Sequence, residues 1–402
     1  MSWDCYCAIC GGPFAKCQYR AIKQTKGGES NAPDPGNSDK SREVSSDSSE
    51  FSSGDTDESE YGFGTQVYDE EVITAEEARW TETLFVIGYN ANTTGAKKAF
   101  ISGPGVYNDR GRVHLEVGDD TNYPSGELWR LRCYYYDCAD EDLVFPFHWP
   151  CYELLARALT GTDDTEAAIR QVDNDVLYTV MQCNPLKRGR GLSLDYGINS
   201  KAHEQWWLCI PGCEFVVAPF GDHSANSMLL RATISSNSFQ LQAVDHDLGP
   251  KVKNDPFRQL PYDIVHAIVG FVWDNASIMN LCQASWSVHC TLRASEPFWR
   301  GRIKTSLACL FELHHLIAND HELLRGKSFK GLLLALDSLT RPKRHIRGPF
   351  MGLANRRHAW GACEQIANLY FGTNAAADSN NRSARCSIHG PGFPGVHHSW
   401  GQ

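Results

Sequence analysis

Long apolar runs are missing from this 402-residue chain. Nothing in it approaches the roughly 18 consecutive residues a membrane-spanning helix needs. The richest short run, residues 332–336, is the size of a helix core. A basic leader followed by an apolar stretch is also missing from the first residues, MSWDCYCAICGGPF, so a secreted precursor is not expected. The expected location is intracellular, cytoplasmic or nuclear. The usual signatures of catalysis are lacking as well. Gly326-Lys327-Ser328 has the end of a phosphate loop, but position 321 is His where the backbone cradle needs Gly. There is no G-x-S-x-G elbow and no H-E-x-x-H pair. His314 and His315 are adjacent, so on a helix they point to different faces and chelate poorly. The roughly eight paired Cys/His ligands of a RING-type centre are absent.

Charge of one sign is unevenly placed. Residues 43–77 hold twelve acids and no Lys or Arg, so with a total of −10 the rest of the chain is left at about +2. A general nucleic-acid surface is therefore not implied, and the basic run Lys187-Arg188-Gly189-Arg190 is too short to make one. Residues 26–78 are rich in Ser, Asp, Glu and Gly and poor in apolar side chains. They cannot bury enough surface to offset backbone ordering, and the expectation is a disordered acidic insert.

Fifteen cysteines are spread along the chain, an odd number that without secretion reads as reduced thiols. Residues 1–25 start with C-x-C-x2-C-x6-C, made by Cys5, Cys7, Cys10 and Cys17. Cys7-Ala8-Ile9-Cys10-Gly11-Gly12 has the form of a zinc knuckle, in which glycines let the turn aim N–H groups at sulfur. One knuckle supplies two ligands and a structural zinc wants four. His148-Trp149-Pro150-Cys151, just before a helical pattern, offers the second pair. Cys5 and Cys138 are further candidates, and the competing reading is thiols packed as small apolar groups.

The middle of the chain, residues 79–250, reads as a mixed α+β domain. Strands are expected at 84–89, 113–117 and 128–136, and short extended runs at 206–210 and 215–218. Gly103-Pro104-Gly105 is a turn, and 151–159 and 166–172 are helical. Cys209 and Cys213 have no second pair at zinc-finger spacing and read as structural.

Residues 257–302 then switch to helical periodicity. Pro261 suits a first helical position, Asp263 the first turn, and Ile264, Val265, Ile268, Val269 and Val272 form an apolar face. Asn275 and Ser277 are candidate caps for a second helix through Ile278 and Leu281, and a third carries Val288 and Leu292 until Pro297. Phe298-Trp299-Arg300 closes the stretch. This order of landmarks resembles an F-box: Leu260-Pro261, Asp263-Ile264-Val265, Ile268, Leu281, Ala284-Ser285 and Phe298-Trp299-Arg300. It departs from the pattern at residues 274–278, where an acid more often stands just before Leu.

What the resemblance implies is docking on the Skp-type adaptor of a cullin–RING ubiquitin ligase. The contacts would come from Leu260, Pro261, Ile264, Val265, Ile268, Leu281, Ser285, Phe298 and Trp299. The chain would recruit an unknown protein substrate and would not itself be an enzyme. The alternative is a zinc-stabilised module that binds protein or nucleic acid, with these helices purely structural.

Residues 303–372 continue as helices at 307–317 and 332–339, a basic connector at 343–348, and a segment with Arg356 and Trp360 on one face. Arg356 is expected to pair with an acid of its own fold while Trp360 fills a core; the rival reading is contact with a partner's acid. A CxxCG start, an HxxC segment, an F-box and a G-L-x-N-R-R-x-x-W helix together resemble a group of fungal F-box proteins. Residues 373–402 read as a loose polar tail.

Overall fold

The structure is a computed structural model. It describes residues 6–12, 14, 19–21, 66–68, 72–108, 112–116, 122, 130–134, 143–184, 192–197, 216–236, 239–240, 254–272, 274–293, 295–343 and 346–378. The chain is α+β. No helix among the described residues is long and apolar enough to cross a membrane.

The first half is a six-stranded sheet under a layer of helices. Strands β1 (Tyr19–Ala21) and β2 (Gln66–Tyr68) pair in parallel apart from it. The sheet itself contains β3 (Phe85–Tyr89), β4 (Ala99–Ile101), β5 (Gly105–Asn108), β6 (Arg112–Leu115), β7 (Arg130–Cys133) and β8 (Leu143–Phe147). Their order is β4-β3-β8-β7-β6-β5, antiparallel except for β7 against β8. The strands expected at 84–89, 113–117 and 128–136 correspond to β3, β6 and β7. Gly103-Pro104-Gly105, expected as a turn, forms none: residues 102–104 are an irregular link and Gly105 opens β5. Gly105 exchanges both backbone bonds with Leu84, at 2.7 and 3.0 Å.

Helix α1 (Ala75–Ala78) starts at a capping box between Thr74 and Glu77. It lies inside the stretch expected to be disordered, as does β2. Ile73, 1% exposed, explains the difference: it packs with Val216, Ile346, Met351 and Ala354, so apolar burial resumes before the acidic run ends. Residues 22–65 lie outside the described residues.

Helices α2 (Trp149–Thr160), α3 (Thr165–Gln171) and α4 (Asn174–Gln182) follow, with Asp164 and Asp173 capping the last two. Residues 216–218, expected as part of a strand, are an irregular buried loop. Its carbonyls are satisfied by side chains and not by a ladder. Trp80 Nε1 donates to Val216 O and Asn355 Nδ2 to Val217 O, both at 2.7 Å. The runs at 206–210, with Cys209, and Cys213 lie outside the described residues. Cys183 is disulfide-bonded, a correction to the expectation of reduced thiols throughout. The other eight described cysteines are free.

The second half is helical: α5 (His223–Ser235), α6 (Tyr262–Gly270), α7 (Asn275–Ala284), α8 (Trp286–Arg293), α9 (Glu296–Ser306), α10 (Phe311–Asn319), α11 (His321–Leu324) and α12 (Phe329–Thr340). Residues 257–302 thus contain helices at four places and not three. Pro297 starts α9 where it was expected to stop a helix, because the first turn needs no N–H from it. Pro261 is the residue before α6 and not its first residue. Asp274, not Asn275 or Ser277, caps α7 by accepting from Ser277 N at 2.7 Å. Asn275 is turned inward, where its Oδ1 accepts from Arg302 Nε at 3.1 Å and ties α7 to α9.

Helix α13 (Met351–Asp378) joins the halves and extends six residues into the expected tail. Its Ala359, Cys363, Ile366 and Tyr370 enter the sheet-side core, and Leu353 enters the helical core. Arg356, 0% exposed, uses its whole guanidinium inside the molecule. It donates to Glu312 on α10 at 2.6 and 3.0 Å, to Pro219 O at 2.7 Å and to Phe220 O at 3.0 Å. The arginine therefore pairs with an acid of its own fold, and Trp360 packs edge-on against Phe311 at 5.7 Å.

Burial works to raise the Glu312 carboxyl, but the bonds and charge of Arg356 outweigh it and hold it below the usual carboxylate range. The stabilisation from this depressed carboxyl is therefore complete above the unfolded value of about 4.3, and is lost as pH falls through the folded one. Arg356→Met leaves the buried Glu312 carboxylate without its guanidinium, with His223 Nδ1 still 3.0 Å from Oε1, and should lower unfolding stability by about 3–5 kcal/mol in urea titrations. Adding Glu312→Gln should recover part of that loss; strict additivity of the two changes would show that the pair is not coupled.

Candidate functional site

The knuckle is a tight turn without regular secondary structure. Cys7 N donates to Gly12 O at 2.7 Å, and Gly11 N to Cys7 O at 2.8 Å. Gly11 has φ +70, which a side chain disfavours, and a Cβ there would also lie 2.8 Å from the Tyr196 ring. The turn aims its amides at sulfur. Cys10 N donates to Cys7 Sγ at 3.5 Å, and Gly12 N to Cys10 Sγ at 3.4 Å.

The second pair comes from the start of α2. His148 is the residue before its first turn and its side chain makes no capping bond, so the ring is turned elsewhere. It lies between Phe14 and Trp80, at centroid distances of 4.6 and 4.8 Å. Cys151, 0% exposed, sits in the first turn, its N–H bonded to His148 O at 3.0 Å. The donor atoms of Cys7, Cys10, His148 and Cys151 all lie within 4.8 Å of one another, and all four residues are buried. This is the quartet expected from the CxxCG and HxxC spacings. Cys5 and Cys138 lie outside the described residues.

The donors fit a metal ion. Tetrahedral zinc with sulfur at about 2.3 Å and nitrogen at about 2.0 Å has donor–donor edges of roughly 3.5–3.8 Å. Cys10 Sγ to His148 Nδ1 is 3.7 Å. A Cβ on Gly12 would come within 3.2 Å of Cys10 Sγ and 3.7 Å of His148 Cε1, so the glycine leaves room beside the donors. Their protonation fits as well. At Cys7 burial works upward, but hydrogen bonds from Cys10, Cys151 and His148, with the His148 charge, hold the thiol well below its ordinary value. At Cys10 the bond with Cys151 works downward and is outweighed by the bond to Cys7, by burial and by the Cys7 charge. Burial and the bonds to Cys10 and Cys7 push Cys151 well up. A bound dication would favour the thiolate form of all three cysteines.

Three side chains outside the expected quartet pin its backbone. Tyr134 Oη donates to Tyr6 O at 3.2 Å, Tyr196 Oη to Ala8 O at 2.9 Å, and His358 Nε2 to Cys10 O at 3.0 Å. No spacing rule finds them, because each is at least 128 residues from its acceptor.

The F-box-like residues divide by exposure. Leu260 (38%), Pro261 and Ile264 (46%) face solvent, beside Tyr262 (56%) and Phe271 (80%), which the resemblance did not single out. Ile268, Leu281 and Phe298 are half-buried. Val265, Ser285 and Trp299, expected as contact residues, are interior: their side chains are buried in the chain's own core. Ser285 Oγ donates to Asp255 at 2.9 Å and accepts from Val288 N at 3.1 Å. Trp299 Nε1 donates to Leu292 O at 2.8 Å.

Gly11→Ala should cost more stability than Gly161→Ala. Both glycines have positive φ, +70 and +67, but a Cβ on Gly161 meets nothing within 4 Å. About 1–2 kcal/mol is expected at Gly161, and a further 1–3 kcal/mol at Gly11 for displacing Tyr196. Equal shifts in the urea midpoint would contradict the packing described for the knuckle. No protein-family model matches this chain, and no curated protein or solved structure matches it.

Proposed function

We propose that the chain is a substrate receptor that docks through α6–α9 on the adaptor of a Skp–cullin–F-box ubiquitin ligase and presents an unidentified protein substrate. One observation carries this reading. Leu260, Tyr262, Ile264 and Phe271 stand exposed around α6, while Val265 and Val269 of the same helix are buried. A helix that fixes one face in its own core and leaves apolar side chains outward suits a helix-in-groove contact, in which a few anchors dominate. The chain supplies recruitment, and ubiquitin transfer belongs to the ligase it joins.

We further propose that Cys7, Cys10, His148 and Cys151 hold a structural zinc ion. The ion would neutralise thiolates that burial otherwise disfavours and would cross-link the first residues to α2. The buried quartet supports this reading.

Leu260→Ala with Pro261→Ala, and separately Ile264→Asp, should abolish co-purification with a recombinant Skp-type adaptor. Because Leu260 and Ile264 are 38% and 46% exposed and not in the core, unfolding stability should fall by only about 1 kcal/mol. Retention of the adaptor by both variants rejects the docking assignment. Elemental analysis of purified protein should find zinc in a one-to-one ratio, and Cys151→Ser should lose it. Apparent zinc affinity should fall as pH falls, since bound thiols must release protons.

A further inference from the structure

His358 lies in the first third of α13, 348 residues along the chain from the Cys10 it contacts. It is 8% exposed. Its Nε2–H donates to the carbonyl of Cys10, a residue of the donor quartet. The other two pins act on Tyr6 and Ala8, which offer no donor atom. Cys10 is held on both sides of its Cα: its amide donates to Cys7 Sγ at 3.5 Å, and its carbonyl accepts from His358 at 3.0 Å. These two bonds fix the peptide planes flanking Cys10, and with them the direction of its Cα–Cβ bond. The thiol reaches His148 Nδ1 at 3.7 Å because that direction is set.

We propose that His358 is a positioning residue for the metal centre, holding the Cys10 thiol in the geometry that captures the ion. The inference rests on the zinc reading above. It adds a residue that ligates nothing and acts through a main-chain carbonyl. It also makes α13 part of the centre's support, two residues from the Arg356 that grips α10. Outer partners of this kind commonly change metal affinity about 10–100-fold.

The test titrates the full chain with cobalt(II) alone, follows the visible bands of the bound ion, and then competes the cobalt with zinc. His358→Ala should weaken cobalt and zinc about 10–100-fold. Its band positions at saturation should match the original, since no ligand is lost. His358→Gln places an amide N–H near the position of Nε2 and should restore most of the affinity. It also serves if the alanine variant does not fold. Unchanged affinity in the variants overturns the proposal. Equal weakening in both assigns His358 to packing and overturns it too. Failure of the unaltered chain to bind cobalt or zinc overturns the zinc reading itself, and is distinct from either result.

Discussion

A buried arginine governs how the two halves of this molecule meet. Arg356 spends its charge on Glu312 and its remaining donors on the carbonyls of Pro219, Phe220 and Cys309. Phe220 and Phe311 lie beside the guanidinium, and Arg157 of α2 lies 4.4 Å over the Phe311 ring. An ion pair in so dry a place returns little net stability compared with apolar packing. What it imposes is geometry. The loop at 216–220, α10 and α13 must all arrive before the charge is satisfied, and one arrangement does this.

The buried donor quartet, which could hold a metal ion, follows the same logic at the other face of α13. Residues 6–12 form no strand with the sheet and no helix of their own. Tyr6, Cys7, Ala8 and Ile9 are nevertheless at 0–1% exposure, packed with Phe145, Phe147 and Tyr152. Their backbone is held by Ala8 N, which donates to Pro146 O of β8 at 2.8 Å, and by single bonds from distant side chains, together with the four donors. Such a segment has little local reason to be ordered, and a cross-link to α2 would compensate for that. The exposed apolar side chains around α6 are the reverse case. They stand on helices that satisfy their own backbones, so they are free to project.

The sequence was most readable where a signal is local. C-x2-C-G-G and H-x2-C each place two donors within one turn, and the fold brings those two turns together. The apolar periodicity of 264–272 marked a helix, and Arg356 with Trp360 marked a shared face. Readings failed where a residue's role was set from afar. Pro297 reads as a terminator until one sees that a new helix begins there. Residues 215–218 are apolar and β-branched like a strand, yet the carbonyls of Val216 and Val217 go to Trp80 and Asn355. Glu312 and His358 carry no pattern at all; their partners lie 44 and 348 residues away.

The closeness of residues 6–14 to residues 359–370 in one core bears on how the protein is made. A ribosome releases the knuckle well before α13, so Tyr6, Ile9 and Phe14 emerge ahead of their neighbours on that helix. Contacts so distant along the chain form slowly, and apolar groups waiting for them invite aggregation. A chain cut before α13 would keep the neighbours that Tyr6, Ile9 and Phe14 have on the sheet and α2 and lose those on α13, leaving part of this core open to water.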